Sequence, residues 1–223
     1  MAVPPDPDTA PTLVDGPDLA PATLLLAHGA GAPMDSPFMA AIAGGLAGRG
    51  WRVVRFEFPY MTRIRQTGRR QGPDRMPVLQ QAFREQVARE RRLHPQRALL
   101  VGGKSLGGRV ASLLVDELAG SDGVRGCLCL GYPFHPPGRP AQLRTEHLAA
   151  LASPTLILQG ERDSFGKRGE VESYGLSAAI QLHWLPNGDH SFKPSRSSGL
   201  SEAQNWATTV AWSADFLAAV LGG

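Results

Sequence analysis

Three residue types that together perform nucleophilic catalysis each follow a short apolar run in this chain. Ser105 lies in the sequence GKSLG after one such run, Asp163 follows a second, and His190 follows a third. A serine hydroxyl is a poor nucleophile until a base removes its proton, and a histidine oriented by a carboxylate is a suitable base. We therefore expect Ser105 to attack a carbonyl carbon, His190 to move the proton, and Asp163 to orient His190.

The sequence around the serine predicts a tight turn between a strand and a helix. Residues 103–107 fit the pattern G-x-S-x-G, the apolar residues 98–101 precede them, and residues 106–118 have apolar side chains at helical spacing. Such a turn holds the serine at its apex in a strained conformation, and it needs glycine on both sides because the two backbones approach closely. The alternative is an ordinary glycine-rich turn after a buried strand.

The negative oxygen formed when a serine attacks a carbonyl needs two N–H donors. We expect one from Leu106, the residue after the serine, and the other from Ala30, in the sequence HGAG that follows the apolar residues 22–27. The alternative for this segment is a flexible turn. His28 is interpreted as a structural residue that forms hydrogen bonds in that turn.

Two other acids compete with Asp163 for the role of orienting His190. Asp189 is its neighbour in sequence, but adjacent side chains on an extended loop diverge, whereas Asp163 approaches from another loop. Glu161 is expected to satisfy a cation such as Lys104. Because a buried lysine needs an acidic or carbonyl partner, we expect Lys104 to form a structural ion pair with Glu57 or Glu161 rather than to contact substrate.

Apolar runs typical of strands alternate along the chain with segments of helical periodicity. This alternation predicts an α/β fold with a sheet of about six mostly parallel strands and helices on both faces. We expect one domain over residues 22–223 and a flexible arm over residues 1–21. The other expectations are a polar loop at residues 61–77, helices over residues 77–93, 106–118 and 167–179, and a last helix that begins after Ser201.

The composition excludes several classes of function. The chain has 223 residues, a formal net charge of +3 and two cysteines, and no apolar run approaches the ~20 residues that span a membrane. There is no secretory pattern, dinucleotide fingerprint, phosphate loop or metal motif, so we expect a cytoplasmic protein without cofactor or metal. Eight arginines in the segment Arg49 to Arg75 indicate either a solvated loop or recruitment of an anionic substrate or surface. Nucleic-acid binding is not expected, and the oligomeric state is not predicted.

Five short motifs resemble one family. These are HGAG from His28, RFEFPY from Arg55, GKSLGGR from Gly103, GYPFHPP from Gly131 and GERD from Gly160. Together with the order Ser105, Asp163, His190, they are similar to the α/β-hydrolase superfamily, in its small KANL3/Tex30-like group near the dienelactone hydrolases. The resemblance implies the α/β-hydrolase fold with little or no lid.

It also implies a serine hydrolase that cleaves small-molecule carboxylic esters or thioesters through an acyl-enzyme. A peptidase or acyltransferase that uses the same three residues is an alternative. A protein-interaction module that retains an inactive site is another, because a fold does not guarantee turnover.

Overall fold

A single mixed sheet forms the centre of the computed structural model, which describes residues 11–222. Its seven strands are β1 (Thr12–Asp15), β2 (Ala22–Ala27), β3 (Arg52–Phe56), β4 (Ala98–Lys104), β5 (Val124–Leu130), β6 (Thr155–Gly160) and β7 (Ile180–Leu185). Their order across the sheet is β1-β3-β2-β4-β5-β6-β7, and all pairs are parallel except β1 with β3. The predicted α/β sheet is therefore confirmed, with one strand more than expected.

The additional strand corrects part of the prediction for the N-terminal segment. Thr12–Asp15 were expected to belong to a flexible arm, but they pair with β3 as an antiparallel edge strand. The side chain of Arg55 on β3 donates two hydrogen bonds to the carboxylate of Asp15, which fixes the end of this strand. The first ten residues of the predicted arm lie outside the described residues.

Seven helices flank the sheet in the described part of the chain. They are α1 (Pro37–Ala47), α2 (Pro59–Thr67), α3 (Met76–Leu93), α4 (Leu106–Asp122), α5 (Glu146–Ala149), α6 (Arg168–Val171) and α7 (Glu202–Gly222). Side chains of α1 and α7 form one buried cluster with the sheet, and those of α3 and α4 form the other. The inner strands are buried along their length because helices cover both faces, which explains their continuous apolar sequences.

Three predicted segments differ from the structure. The expected loop at residues 61–77 contains most of α2, which begins with Pro59, buries Tyr60 and Met61, and ends at Gly68 in a left-handed conformation. Helix α4 continues past Gly120 to Asp122 and ends at Gly123. The helix expected over residues 167–179 is only the four residues of α6, because the glycines of this segment favour helix weakly.

The remaining helix predictions are confirmed within a residue or two. Helix α3 covers the expected segment with Leu79, Phe83 and Val87 buried. Ser201 and Gln204 bond to each other's backbone N–H in the predicted capping box before α7. No helix in residues 11–222 is long and apolar enough to cross a membrane.

The parallel strands end at one edge of the sheet, where the candidate residues are found. Ser105 follows β4, Asp163 follows β6 by three residues, and His190 lies in the loop after β7. Because β4, β5, β6 and β7 are consecutive in the sheet, the loops that follow them converge above one edge. The topology therefore brings together three residues that are far apart in the sequence.

Candidate active site

The turn between β4 and α4 has the strained geometry that its sequence predicts. Ser105 has φ of 51° and ψ of −111°, which is a rare conformation for a residue other than glycine. A Cβ atom on Gly103 would lie 2.5 Å from the backbone of Gly107, and one on Gly107 would lie 2.5 Å from the carbonyl oxygen of Ala27. Only glycine fits at both positions, so the backbone places Ser105 at a sharp apex.

A chain of two hydrogen bonds connects the three candidate side chains. The oxygen of Ser105 lies 2.9 Å from Nε2 of His190, and Nδ1 of His190 lies 2.8 Å from Oδ2 of Asp163. Since an ionised carboxylate only accepts hydrogen bonds, the proton of the neutral imidazole is assigned to Nδ1. Nε2 is then free to accept the hydroxyl proton of Ser105.

The carboxylate of Asp163 is completely buried and has several donors. Its Oδ2 atom accepts a hydrogen bond of 2.9 Å from the side-chain amide of Gln159, and its Oδ1 atom accepts one of 2.9 Å from the backbone N–H of Phe165. The amide oxygen of Gln159 accepts from the backbone N–H of Tyr132, which fixes the orientation of the amide. These donors compensate the cost of burying the charge.

The imidazole of His190 is held by its surroundings as well as by Asp163. The ring of Phe165 lies over it at a centroid distance of 4.2 Å. Burial lowers the pKa of His190 from its ordinary value of 6.5, and the charge of Lys104 lowers it further, while the hydrogen bond from Nδ1 to Asp163 opposes the shift. The net direction keeps the imidazole neutral and able to accept a proton at neutral pH.

The two competing acids form other contacts, and neither is a hydrogen-bond partner of His190 in the structure. The carboxylate of Asp189 accepts hydrogen bonds from the backbone N–H groups of Ser191 and Lys193, within its own loop. The carboxylate of Glu161 accepts from Arg168 and from the backbone N–H of Asn187. Asp189 therefore shapes the histidine loop, and Glu161 connects neighbouring loops.

The loop after β2 lies beside the candidate nucleophile. A Cβ atom on Gly29 would be 3.6 Å from the Cβ of Ser105. The Tyr60 hydroxyl lies 3.2 Å from the carbonyl oxygen of Gly29 and 3.1 Å from that of Ala30, and it can donate to either. His28 is buried, accepts from the Phe58 N–H at Nε2 and contacts the Gly29 carbonyl through Nδ1, as expected for a structural residue.

The prediction that Lys104 forms an ion pair with Glu57 or Glu161 is wrong. The carboxylate of Glu57 is bound by Arg65, and that of Glu161 is bound by Arg168. The ammonium of Lys104 instead donates a hydrogen bond to the backbone carbonyl of His190. Each carboxylate is bound by a guanidinium group from a helix that follows it in the chain, Arg65 on α2 or Arg168 on α6, and local sequence patterns do not reveal such competition.

Several arginines of the basic segment have acidic partners within the protein. Arg52 pairs with Glu90 and Arg63 pairs with Asp74. Arg55 pairs with Asp15. Arg65 binds both Asp35 and Glu57. These contacts neutralise much of the charge that the sequence concentrates there, so the segment is more structural than its composition indicates.

An open cleft of about 510 Å³ begins at Ala30. Its lining residues are Ala30, Gly31, Pro33, Met61, Ile64, Arg65, Arg70 and Gln71. Apolar and polar side chains therefore both line a space that borders the loop next to Ser105. Helix α2, in a segment whose sequence predicts a loop, contributes three of these residues.

Gln159 and Phe165 were also missed from the sequence. Gln159 does interrupt the otherwise apolar run of β6, and a buried amide at the end of a strand is a signal of a polar network. Phe165 carried no such signal, because an aromatic residue in a loop has many possible roles. Its contact with His190 depends on how the loops after β6 and β7 converge.

Residues 20–218 match a model of the family described as alpha/beta hydrolase domain, and the chain belongs to this family. Three solved structures have the same fold. A dienelactone hydrolase from Anabaena variabilis is 18% identical, with a TM-score of 0.69 and coverage of 93% of this chain and 90% of that chain.

Est1E from Butyrivibrio proteoclasticus, solved with bound ferulic acid, is 14% identical, with a TM-score of 0.69 and full coverage of both chains. A Xanthomonas campestris protein described as an α/β serine hydrolase without lid is 21% identical, with a TM-score of 0.61 and coverage of 81% of this chain and 80% of that chain. At these identities the likeness establishes the fold.

Proposed function

We propose that this protein is a serine hydrolase that cleaves carboxylic ester or thioester bonds through an acyl-enzyme on Ser105. The observation that carries the proposal is the continuous hydrogen-bonded chain from Ser105 through His190 to the buried carboxylate of Asp163. The strained backbone of Ser105 supports it, because structural strain is concentrated at functional sites.

In the first half of the reaction, Nε2 of His190 takes the hydroxyl proton while the oxygen of Ser105 attacks the carbonyl carbon. Asp163 holds the imidazole orientation and stabilises the imidazolium that forms. The N–H groups of Leu106 and Ala30 stabilise the negative oxygen of the tetrahedral intermediate. His190 then gives the proton to the departing alcohol or thiol as its bond to the carbonyl carbon breaks.

In the second half, His190 takes a proton from water, whose oxygen attacks the acyl-enzyme. The second tetrahedral intermediate collapses, the carboxylic acid leaves, and the proton returns to Ser105. Leu106 suits its role because it is the first residue of α4, where the backbone N–H has no acceptor within the helix. The position of Ala30 next to Gly29, which approaches Ser105, supports its role.

The cleft that begins at Ala30 is proposed to hold one side of the substrate. Its apolar residues suit a hydrocarbon or aromatic group, and ferulic acid bound to Est1E is a precedent for an aromatic acid on this fold. The site is proposed to be shallow and open, as the likeness to the lidless Xanthomonas protein supports. We further propose that the chain is a single cytoplasmic domain that includes β1 and belongs to the KANL3/Tex30-like group.

A panel of p-nitrophenyl esters with graded acyl chains, and one matching thioester series, tests this function. The wild-type protein should hydrolyse at least one series, and Ser105→Ala should lower kcat by about three orders of magnitude or more without loss of folding. A Ser105→Ala variant that keeps most of its esterase activity contradicts the proposal.

The non-catalytic module and the acyltransferase or peptidase remain the alternatives, and peptide substrates and acyl acceptors used beside the panel separate them. A folded protein that hydrolyses no ester, thioester or peptide favours an interaction module. Acyl transfer to an added amine or alcohol in preference to water favours a transferase with the same residues. The chain of hydrogen bonds favours turnover over an inactive module, since it is complete and correctly ordered.

We also propose that the arginine-rich segment favours anionic substrates. The lining of the cleft identifies Arg70 as the residue that would contact them. Among the arginines that line this cleft, Arg65 is occupied by Asp35 and Glu57, while Arg70 is exposed and has no ion-pair partner among residues 11–222. Arg70→Ala should raise the KM of a p-nitrophenyl ester with a terminal carboxylate about tenfold and leave a neutral ester unchanged.

The matched control for this substitution is Arg69→Ala, since Arg69 is the exposed neighbour that does not line the cleft. If the charge of Arg70 attracts the substrate, added salt should slow hydrolysis of the acidic ester and leave that of the neutral ester unchanged. An equal effect of Arg70→Ala on acidic and neutral esters contradicts this part of the proposal without affecting the role of Ser105.

A further inference from the structure

The residue before the candidate nucleophile is a buried cation without a carboxylate partner. Lys104 is the last residue of β4 and is 8% exposed. Its ammonium donates to the backbone carbonyl of His190, and it forms no ion pair with an acid in residues 11–222. Since a buried charge usually has an ionic partner, the placement of this one beside the histidine loop needs a functional explanation.

The surroundings of the ammonium fix its position. The ring centroids of Phe38 and Phe192 lie 5.4 Å and 5.8 Å from Nζ, within the range of cation–π attraction. Phe38 belongs to α1, and Phe192 lies two residues beyond His190. The ammonium therefore lies near one aromatic ring from α1 and one from the histidine loop itself.

Gly131, which follows the neighbouring strand β5, shows how closely Lys104 and His190 approach each other. Gly131 has φ of +64°, and a Cβ atom there would lie 2.6 Å from Nζ of Lys104, 2.9 Å from the carbonyl oxygen of His190 and 3.4 Å from its Nδ1. All three atoms therefore border the space of a single methyl group. The glycine leaves room for the ammonium to reach both the backbone and the ring side of His190.

Three charged or titratable groups face Lys104. Asp163 comes from the loop after β6, and Asp189 and His190 come from the loop after β7. The two aspartates favour the charged ammonium, but burial dominates and lowers the pKa of Lys104 to about 8. The lysine is therefore mostly charged near pH 7, and its charge opposes protonation of the nearby imidazole.

We propose that Lys104 is a positioning residue of the hydrolytic site, whose ammonium anchors the backbone of His190 and keeps its imidazole uncharged so that it accepts the proton of Ser105. Asp163 and Lys104 then act on the same ring in opposite directions. The carboxylate orients the imidazole and stabilises its protonated form, whereas the ammonium prevents that form from accumulating before substrate binds. This inference rests on the proposed function.

The pH dependence of Lys104→Met tests the proposal, because methionine keeps most of the side-chain volume and removes the charge and the donor. The acid limb of kcat/KM should move to higher pH by about one unit, since the imidazole is then easier to protonate. At a pH on that limb the rate should fall about tenfold more than at the plateau. A lysine that only supports packing would lower the rate equally at every pH.

A second readout does not require turnover. The rate at which a fluorophosphonate labels Ser105 depends on the same neutral imidazole, so its acid limb should shift in the same way. Lys104→Arg, which keeps the charge, should retain the wild-type limb. Lys193→Met removes an exposed lysine from the same loop and should leave the limb in place.

The outcomes separate the two proposals. If wild-type Ser105 neither labels nor hydrolyses esters, the proposed function fails. If the wild-type protein is active and the acid limb is unchanged in folded Lys104→Met, the role of Lys104 is overturned and the hydrolase stands. Should Lys104→Met fail to fold, Lys104→Gln keeps a donor for the carbonyl without the charge, and an unshifted limb in that variant overturns the inference as well.

Discussion

At the scale of single residues, the site depends on how one imidazole is held. Asp163 binds Nδ1, Ser105 contacts Nε2, and the ring of Phe165 covers one face. Asp163 and Phe165 lie in the loop after β6, and Ser105 lies in the turn after β4. Together these contacts determine the tautomer, the ring orientation and the exposure of His190. The proposed chemistry requires all three properties, since a general base must be neutral and aimed at the proton it removes.

Asp163→Asn should lower kcat by about four orders of magnitude with a smaller effect on KM, because asparagine can favour the wrong tautomer of His190. The control is Asp189→Asn. The Asp189 carboxylate binds only N–H groups of its own loop, so this change should cost about tenfold or less through loop geometry. Steady-state kinetics decide between the two acids, and the assignment fails if Asp189→Asn is the more damaging substitution.

The pH dependence of the wild-type enzyme follows from the environment of His190. Burial lowers the pKa of His190 below 6.5. In the proposed mechanism only the neutral imidazole accepts the proton of Ser105. We therefore expect kcat/KM to be constant near neutral pH and to fall as the pH decreases through a midpoint below 6.5. An acid limb with its midpoint above 6.5 contradicts this account of the site.

At the scale of elements, the turn from β4 to α4 requires glycine at positions 103 and 107, because a side chain there would collide with the backbone. A Cβ atom on Gly107 would lie 2.5 Å from the carbonyl oxygen of Ala27 and 2.7 Å from that of His28, both of which are backbone atoms. Backbone atoms of a central strand and its loop cannot move without displacing the sheet. The same close approach brings the loop after β2 against Ser105.

Gly107→Ala should therefore destabilise the fold by about 3 kcal/mol or more and abolish activity. Gly120→Ala is the matched control in the same helix. A Cβ atom on Gly120 has no neighbour within 4 Å, so alanine should stabilise the helix by about 0.5–1 kcal/mol. Thermal or urea unfolding measures both changes, and a neutral Gly107→Ala would show that the close contacts are not restrictive.

At the scale of the whole molecule, a buried ion pair connects the sheet to the helical layer. Nη1 of Arg52 on β3 lies 2.7 Å from Oε2 of Glu90 on α3 and 3.0 Å from the hydroxyl of Thr23 on β2. Both charged side chains are 7% exposed. Removing one partner would leave a buried charge uncompensated, and this is costly.

Glu90→Gln should destabilise the protein by about 3–5 kcal/mol while leaving kcat and KM of the folded enzyme unchanged. The exposed pair between Arg84 and Glu117 provides the comparison, and Glu117→Gln should cost about 1 kcal/mol or less. Denaturant unfolding measures the difference. Equal effects of the two substitutions would mean that burial of the Arg52 pair contributes nothing to stability.

The parts of the fold that sequence patterns predict are the local ones. The strand ends at Ser105, Asp163 and His190 follow from short apolar runs and turn residues, and the glycines around Ser105 follow from one motif. In contrast, the strand Thr12–Asp15 depends on pairing with β3 and Arg55, and its own four residues give little indication. The local sequence predicts a flexible segment because it does not reveal the pairing with a distant strand.

Contacts between distant parts of the chain explain two further differences. Lys104 was expected to bind Glu57 or Glu161, and each of these carboxylates is bound by an arginine instead. Helix α2 was expected to be a loop because its sequence is rich in arginine, yet Tyr60 and Met61 bury its inner face. In each case the tertiary packing decides between local alternatives that the sequence alone does not rank.

His190 and Asp163 are proposed to activate Ser105, and covalent labelling tests this activation most directly. Incubation with a fluorophosphonate, followed by peptide mass analysis, should place one phosphonyl group on Ser105 of the wild-type protein. Ser105→Ala should take up none, and Asp163→Asn should react far more slowly while Asp189→Asn reacts at close to the wild-type rate. A folded wild-type protein whose Ser105 stays unlabelled, or a label on another serine, would contradict the account.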